Sequence, residues 1–168
     1  MADIRESIEG AVEYLSAQPD AARYTDTPAR AVLGEALRVE VNGPNGERLR
    51  TDMPRAVGGR AEEPSPGWYY RAALASCVAS TVAMQAARDG ITLSRLEVVV
   101  DSESDDRGIL GMEETVPAGP LSTRIGIQVG TEAPAKEIDE MIKRGTARCP
   151  VYDATKRAVE VTTEIELR

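Results

Sequence analysis

The sequence has 168 residues, which suits one domain with a sizeable core, and it contains no Phe, so this core must be built from Ala, Val, Leu and Ile. A formal net charge of −8 disfavours nucleic-acid partners and anionic membrane surfaces, because both attract clustered Lys and Arg. The absence of His excludes Ser-His and Cys-His nucleophile pairs and the usual catalytic zinc sites.

Targeting and membrane signals are not evident in the chain. No apolar run approaches the roughly 20 residues that a membrane span needs. The N-terminal residues Met1–Glu6 lack the charged-then-apolar pattern of a signal peptide. We therefore expect a cytoplasmic protein whose two cysteines are thiols rather than a structural disulfide.

The first third of the chain predicts a helix followed by a hairpin. Apolar residues recur at helical spacing over residues 3–17, and a Pro- and Asp-containing linker follows to about Pro28. Alternating apolar residues predict a strand over Arg30–Val41, and a dense turn signal over Asn42–Gly46 leads into a returning strand over Arg48–Thr51. We treat residues 1–28 as an N-terminal helix with its linker and 29–168 as the domain.

A long helix is predicted next. Ser65 and Pro66 suit the N-cap and first helical position, and Gly90 ends the helix after about Asp89. Its middle, residues 72–87, carries no charge and is small or apolar all round. This pattern is typical of a helix that is buried on every side.

The remainder predicts strands over Leu96–Asp101 and Ser122–Val129, joined by an acidic connection, and then a helix from Pro134 to about Ala147. Strict alternation predicts a last strand over Val159–Leu167. The element order α-ββ-α-ββ-α-β indicates an α+β fold with antiparallel strands.

The two cysteines are the candidate reactive groups. Cys77 lies in the middle of the apolar helix, where a reactive thiol needs a cation from elsewhere in the fold. Cys149 precedes Pro150 and is predicted to be a helix N-cap, where backbone N–H groups favour a thiolate; the cations Lys143, Arg144 and Arg148 are nearby in sequence. The alternative is that both cysteines are packing residues. Their separation of 72 residues does not say whether they meet.

Several short motifs together resemble the OsmC/Ohr family over roughly residues 30–168. They are the hairpin, the Cys-bearing helix with Ala75-Ser76-Cys77, and the segments Asp52-Met53-Pro54, Gly58-Gly59, Ser65-Pro66, Arg107-Gly108 and Cys149-Pro150-Val151. The resemblance implies an OsmC-like fold for residues 29–168, with antiparallel sheets around a central buried Cys-bearing helix in an intertwined homodimer.

The resemblance also implies an activity. Cys77 would attack an organic hydroperoxide and become a sulfenic acid, and Cys149 would resolve it to a disulfide that a dithiol reductant reopens. Such a peroxidase needs no bound cofactor and no metal. Its partners would be a second copy of the chain, the hydroperoxide and the reductant.

The sequence departs from the family pattern at the groups that assist the thiol. In the peroxidases of this family an arginine near the first strands holds the thiolate, and a glutamate on the first turn of the Cys helix orients that arginine. Arg30 is the first candidate for the arginine, followed by Arg38 and Arg60. The first turn of the helix has no carboxylate, so Glu62 or Glu63 would have to replace the glutamate.

An aromatic cluster, Trp68, Tyr69 and Tyr70, occupies that first turn instead. It either caps the core or lines an apolar substrate pocket beside Cys77. Because the glutamate is missing, the alternative function is an OsmC-like small-molecule-binding or redox-responsive protein without peroxidase activity. A purely structural dimer is a third hypothesis.

Overall fold

The computed structural model describes residues 3–167 and divides the chain into two compact units, one ending at Ala73 and one beginning at Leu74. Both combine helices with antiparallel strands, so the predicted α+β class is confirmed. Within the described residues, no helix has both the length and the apolar character that crossing a membrane requires.

The first unit begins with the predicted N-terminal helix, α1 (Ile4–Ala17). Asp3 caps it, since its carboxylate accepts a hydrogen bond of 3.0 Å from the backbone N–H of Arg5. A short 3₁₀ turn, Pro19–Ala22, follows. The apolar stripe of α1 is not covered within the described residues: Ile4 and Val12 are each 50% exposed.

A three-stranded sheet follows, with β1 (Arg30–Leu33), β2 (Val39–Asn42) and β3 (Arg48–Thr51) paired antiparallel in that order. The prediction of one strand over Arg30–Val41 is wrong, because the chain reverses between β1 and β2. The N–H of Gly34 donates to the carbonyl of Arg38 at 2.8 Å, and Ala36 has a positive φ of 53°. Gly34 was the sequence signal for this additional turn.

Helix α2 (Pro66–Asp89) has the predicted bounds. The hydroxyl of Ser65 accepts a hydrogen bond of 3.2 Å from the N–H of Trp68, as expected of an N-cap. Burial on every side is not found in the single chain. In the second unit, one face of α2 is buried, and it consists of Leu74, Val78, Val82, Gln85 and Ala86. Other small or apolar positions of the helix are exposed, namely Ser76, Ser80 and Met84.

The second unit packs helices against a hairpin. Strands β4 (Arg95–Glu103) and β5 (Ser122–Gly130) are antiparallel, and the connection between them contains α3 (Asp106–Ile109). Two helices follow, α4 (Ala135–Ala147) and α5 (Pro150–Lys156). The core of the second unit consists of Leu74, Val78, Val82, Ala86, Met141 and Cys149. Partly buried side chains of β4 and β5 pack against this core.

The predicted last strand over Val159–Leu167 is wrong for the single chain. Residues 158–167 form no regular secondary structure, and Val161, Ile165 and Leu167 are 83%, 83% and 92% exposed. Alternation of apolar and polar residues indicates that a segment could join a sheet. A strand forms only where the edge of a sheet has unpaired backbone N–H and C=O groups with which the segment can bond.

Helices α2 and α4 approach each other closely at Gly145. A Cβ added to Gly145 would lie 2.8 Å from the Cα of Val82 and 3.1 Å from the carbonyl oxygen of Thr81. Both neighbours are backbone atoms, which cannot rotate away. Gly145 therefore sets the distance between the helix that carries Cys77 and the helix that leads into Cys149.

We predict that Gly145→Ala lowers the free energy of unfolding by about 1–3 kcal/mol, because the added methyl group forces the helices apart. Denaturant unfolding measures the change. The matched control is Gly10→Ala in α1, where nothing lies within 4 Å of the new Cβ. That substitution should raise stability by roughly 0.5–1 kcal/mol through helix propensity. A neutral or stabilising Gly145→Ala would contradict the close approach.

Candidate redox site

The two cysteines meet. Cys149 is fully buried, and Cys77 is partly buried and packs against the core cluster that contains Cys149. The Cys77 side chain is close enough to affect the pKa of Cys149, and both cysteines are free thiols. Residues 72 positions apart in the sequence thus form one dithiol site inside the second unit.

Cys149 is the N-cap of α5, as predicted. Its sulfur accepts a hydrogen bond of 3.4 Å from the N–H of Tyr152, and its carbonyl accepts one of 2.9 Å from the N–H of Asp153. Pro150 occupies the first helical position, where no N–H is needed. The Cys-Pro-Val sequence therefore fixes where the second sulfur points.

The electrostatic expectation for Cys149 is wrong in its net direction. Burial raises the pKa of the Cys149 thiol above its ordinary value, and the hydrogen bond with Cys77 raises it further. The N–H groups of Tyr152 and Val151 each lower it by less than burial raises it, and the net shift is upward. The N-cap position could be read from the sequence, whereas the burial that opposes it could not. Cys149 therefore keeps its proton at neutral pH.

In the first unit, Arg38 and Glu62 form an ion pair. Arg38 stands at the end of the turn before β2, and its side chain is 35% exposed. Its Nε is shielded from solvent and has no hydrogen-bond acceptor among residues 3–167. A carboxylate thus holds one edge of this guanidinium, while another of its N–H groups lacks a partner within the described chain.

A buried carboxylate organises the loop that presents Glu62. Asp52 is 2% exposed and accepts hydrogen bonds from the N–H groups of Met53, Arg60 and Glu62 at 2.7–3.3 Å. The bond from Glu62 is the largest cause that lowers the pKa of Asp52. Gly59 is required in the loop, since a Cβ there would lie 1.8 Å from the carbonyl oxygen of Met53. The Asp52-Met53-Pro54 and Gly58-Gly59 motifs therefore have structural roles.

The other candidate cations have different surroundings. Arg30 begins β1 with an exposed side chain, and no carboxylate of residues 3–167 lies within ion-pair distance of it. Arg60 pairs with Glu35 at 3.1 Å. Glu63 forms no ion pair within the described chain. Of the predicted arginines and glutamates, Arg38 and Glu62 are the two that the fold brings together.

The aromatic cluster is partly solvent-exposed. Trp68 is 49% exposed, and its ring meets that of Tyr69 edge-on with centroids 5.2 Å apart. Tyr69 and Tyr70 are partly buried. In residues 3–167 no group of three or more His, Cys, Asp or Glu side chains has the arrangement of a metal site.

Sequence reasoning did not identify two features that support the dithiol. Gly145 permits the close helix approach, and Gln85, a buried polar residue on α2, binds the side chain of Arg148 next to Cys149. A glycine inside a helical pattern was the available signal for the first. Gln85 lies within the stretch predicted to be buried, but the sequence did not show that it would bind Arg148 on another element.

Comparison with known proteins places these observations in a family. No curated protein matches the sequence. The structure is similar to that of an OsmC-like protein from Mycoplasma pneumoniae, with 19% identity, a TM-score of 0.68, and 81% of this chain and 91% of that chain covered. It is also similar to an organic hydroperoxide resistance protein OsmC from Legionella pneumophila, with 18% identity, a TM-score of 0.59, and 80% and 91% covered.

A third similar structure is the organic hydroperoxide resistance protein OhrB of Bacillus subtilis, with 18% identity, a TM-score of 0.53, and 84% of this chain and 98% of that chain covered. At these identities the likeness establishes the fold. The family model for OsmC-like proteins matches residues 59–164, which include both cysteines and most of the chain. With its antiparallel sheets, its Cys-bearing helix and its buried Cys-Pro turn, this chain belongs to the OsmC-like protein family.

Proposed function

We propose that the protein is a thiol-dependent peroxidase that reduces organic hydroperoxides through Cys77 and Cys149. The observation that carries this proposal is the packing of Cys77 against the buried core cluster that contains Cys149, which places the two thiols together in the second unit. Cys77, the more accessible of the two, is the attacking group. Cys149 is fully buried and protonated, which suits a thiol that reacts only after its neighbour has been oxidised.

The proposed cycle has three balanced steps. The Cys77 thiolate attacks the outer peroxide oxygen, the O–O bond breaks, and the leaving alkoxide takes a proton to become an alcohol. Cys149 then attacks the Cys77 sulfenic acid, forming the disulfide and releasing water. A dithiol reductant reduces the disulfide by thiol–disulfide exchange and is itself oxidised.

For the cation that favours the Cys77 thiolate we propose Arg38, oriented by Glu62, ahead of Arg30. Support comes from the ion pair itself, the shielded Nε without an acceptor, and the loop that Asp52 holds in place. Glu62 would then replace the glutamate that is missing from the first turn of α2. Arg30 has no such orienting group among the described residues.

We also propose that the working form is a cytoplasmic homodimer. Apolar side chains lie at the surface of the single chain on the exposed face of α2, along the stripe of α1 and in the segment 158–167, which has no regular secondary structure. A second copy would cover such surfaces. Trp68, Tyr69 and Tyr70 are proposed to contact the apolar part of the substrate; of these, Tyr70 precedes Cys77 by seven residues, or two helical turns.

A second candidate function is a redox-responsive or ligand-binding protein without peroxidase turnover. The absence of a carboxylate from the first turn of α2 favours it. In this case the dithiol would oxidise slowly, and hydroperoxide would not be consumed catalytically. The same assay separates the two functions.

We predict that wild-type protein consumes an organic hydroperoxide, such as cumene hydroperoxide, in the presence of a dithiol, and that Cys77→Ser abolishes turnover. In an assay without the dithiol, Cys149→Ser should consume one equivalent and stop with Cys77 as a sulfenic acid, because no second thiol of the protein resolves it. Peroxide concentration over time is the measurement. Equal, negligible consumption by all three proteins would contradict peroxidase function and favour the second candidate.

For the arginine, we predict that Arg38→Gln slows oxidation of Cys77 by roughly tenfold to a hundredfold, as expected when an oriented charge is removed from a reacting thiol. Glu62→Gln should slow it less. Arg30→Gln is the matched comparison and should leave the rate within about twofold. A larger loss in Arg30→Gln than in Arg38→Gln would restore Arg30 as the activating residue.

The raised pKa of Cys149 has a measurable consequence. In the Cys77→Ser variant, thiolate absorbance should titrate with a midpoint above the ordinary thiol value of about 8.5, because burial persists. Since the folded pKa is the higher one, this group stabilises the fold below the unfolded pKa, and the contribution is lost as the pH rises through the folded pKa. A midpoint below the ordinary value would show that the N-cap outweighs burial.

A further inference from the structure

A polar network in the second unit ties the backbone next to Cys149 to the helix that carries Cys77. Gln85 is 4% exposed and belongs to the buried face of α2. Its side-chain oxygen accepts a hydrogen bond from the guanidinium of Arg148. Arg148 is the residue immediately before Cys149, so this bond anchors the turn that presents the second sulfur.

The orientation of the Gln85 amide is fixed from both sides. Its nitrogen donates to a carboxylate oxygen of Asp89 at 2.8 Å, and the other carboxylate oxygen accepts from Arg144 at 2.8 Å. Arg has donors only and an ionised carboxylate has acceptors only, so the amide oxygen must face Arg148. Burial raises the pKa of Asp89, but the hydrogen bonds from Gln85 and Arg144, together with the charges of Arg144 and Arg148, hold it below its usual value and keep the carboxylate ionised.

The network lies on the same pair of helices as the close approach at Gly145. Gly145 brings α4 against α2, and Arg148, three residues later, is bonded to Gln85. The chain that enters Cys149 is thus attached to α2 at two successive points. A buried polar side chain whose oxygen and nitrogen are both hydrogen-bonded restricts how its neighbours can be arranged.

The position of Cys149 matters for the rate of disulfide formation. To form a disulfide, the two sulfurs must approach to about 2.05 Å with a defined dihedral angle. Misplacement of a reacting group by about 1 Å costs up to a hundredfold in rate. Resting on the proposed function, we infer that Gln85 is a positioning residue that, through Arg148, holds Cys149 for attack on the Cys77 sulfenic acid.

Among the described residues neither Gln85 nor Arg148 is hydrogen-bonded to a sulfur, so their removal should affect disulfide closure and spare the oxidation of Cys77. In Gln85→Leu and Arg148→Met, the rate of Cys77 oxidation by cumene hydroperoxide should stay within about twofold of wild type. Disulfide closure should slow by roughly tenfold to a hundredfold. More of Cys77 should then proceed to sulfinic acid, which mass spectrometry detects.

Two further variants separate positioning from loss of structure. Lys143→Gln breaks an exposed ion pair with Asp139 on the same helix and should change neither rate. Gln85→Glu places a second carboxylate beside Asp89 and should slow closure. In the double variant Gln85→Glu with Asp89→Asn, the amide of residue 89 donates to the carboxylate of residue 85, which still accepts from Arg148. Disulfide closure should therefore be restored.

Diamide, which oxidises a dithiol to a disulfide by accepting two electrons and two protons, tests closure without peroxide. We expect disulfide closure to be slower with both oxidants in Gln85→Leu and Arg148→Met. We expect it to recover in the double variant. Closure at the wild-type rate in these variants, or an equal slowing of Cys77 oxidation and closure, would overturn the inference. If wild-type protein closes with diamide but never with hydroperoxide, the proposed function fails instead.

Discussion

The contact between the Cys77 and Cys149 thiols depends on how closely two helices can pack. Gly145 lets the backbone of α4 approach that of α2 around Val82, and the chain then turns so that Cys149 caps α5. A side chain at position 145 would separate the helices and with them the two sulfurs. The reactive pair is therefore a consequence of packing, in a chain where neither cysteine lies in a short redox motif.

The surroundings of the two cysteines give them different chemical roles. Helix N-caps generally favour a thiolate, yet burial dominates at Cys149 and keeps it protonated. A protonated resolving thiol does not compete with Cys77 for peroxide, and it becomes reactive when a sulfenic acid forms beside it. The Arg38–Glu62 pair, supported by the buried Asp52 carboxylate, is the proposed source of the positive charge that Cys77 needs.

Local features of the fold could be predicted from the sequence because they depend on local chemistry. Ser65 and Pro66 begin α2, Pro150 places Cys149 at an N-cap, and alternation locates β5. The errors arise where an element needs a partner. The segment Val159–Leu167 has the pattern of a strand but forms none in the single chain, and the face of α2 with small and uncharged side chains is exposed. Gly34 and Gln85 were missed because a single residue, without its contacts, does not reveal a turn or a buried network.

Covalent linkage of the two cysteines by a hydroperoxide tests the central claim most directly. Reduced protein is treated with one equivalent of cumene hydroperoxide, alkylated, digested without reductant and mapped by mass spectrometry. We expect a single cross-linked peptide joining Cys77 to Cys149 within one chain, with loss of both free thiols. Two alkylated thiols after treatment, or Cys77 left as a sulfenic acid beside an alkylated Cys149, would contradict the account.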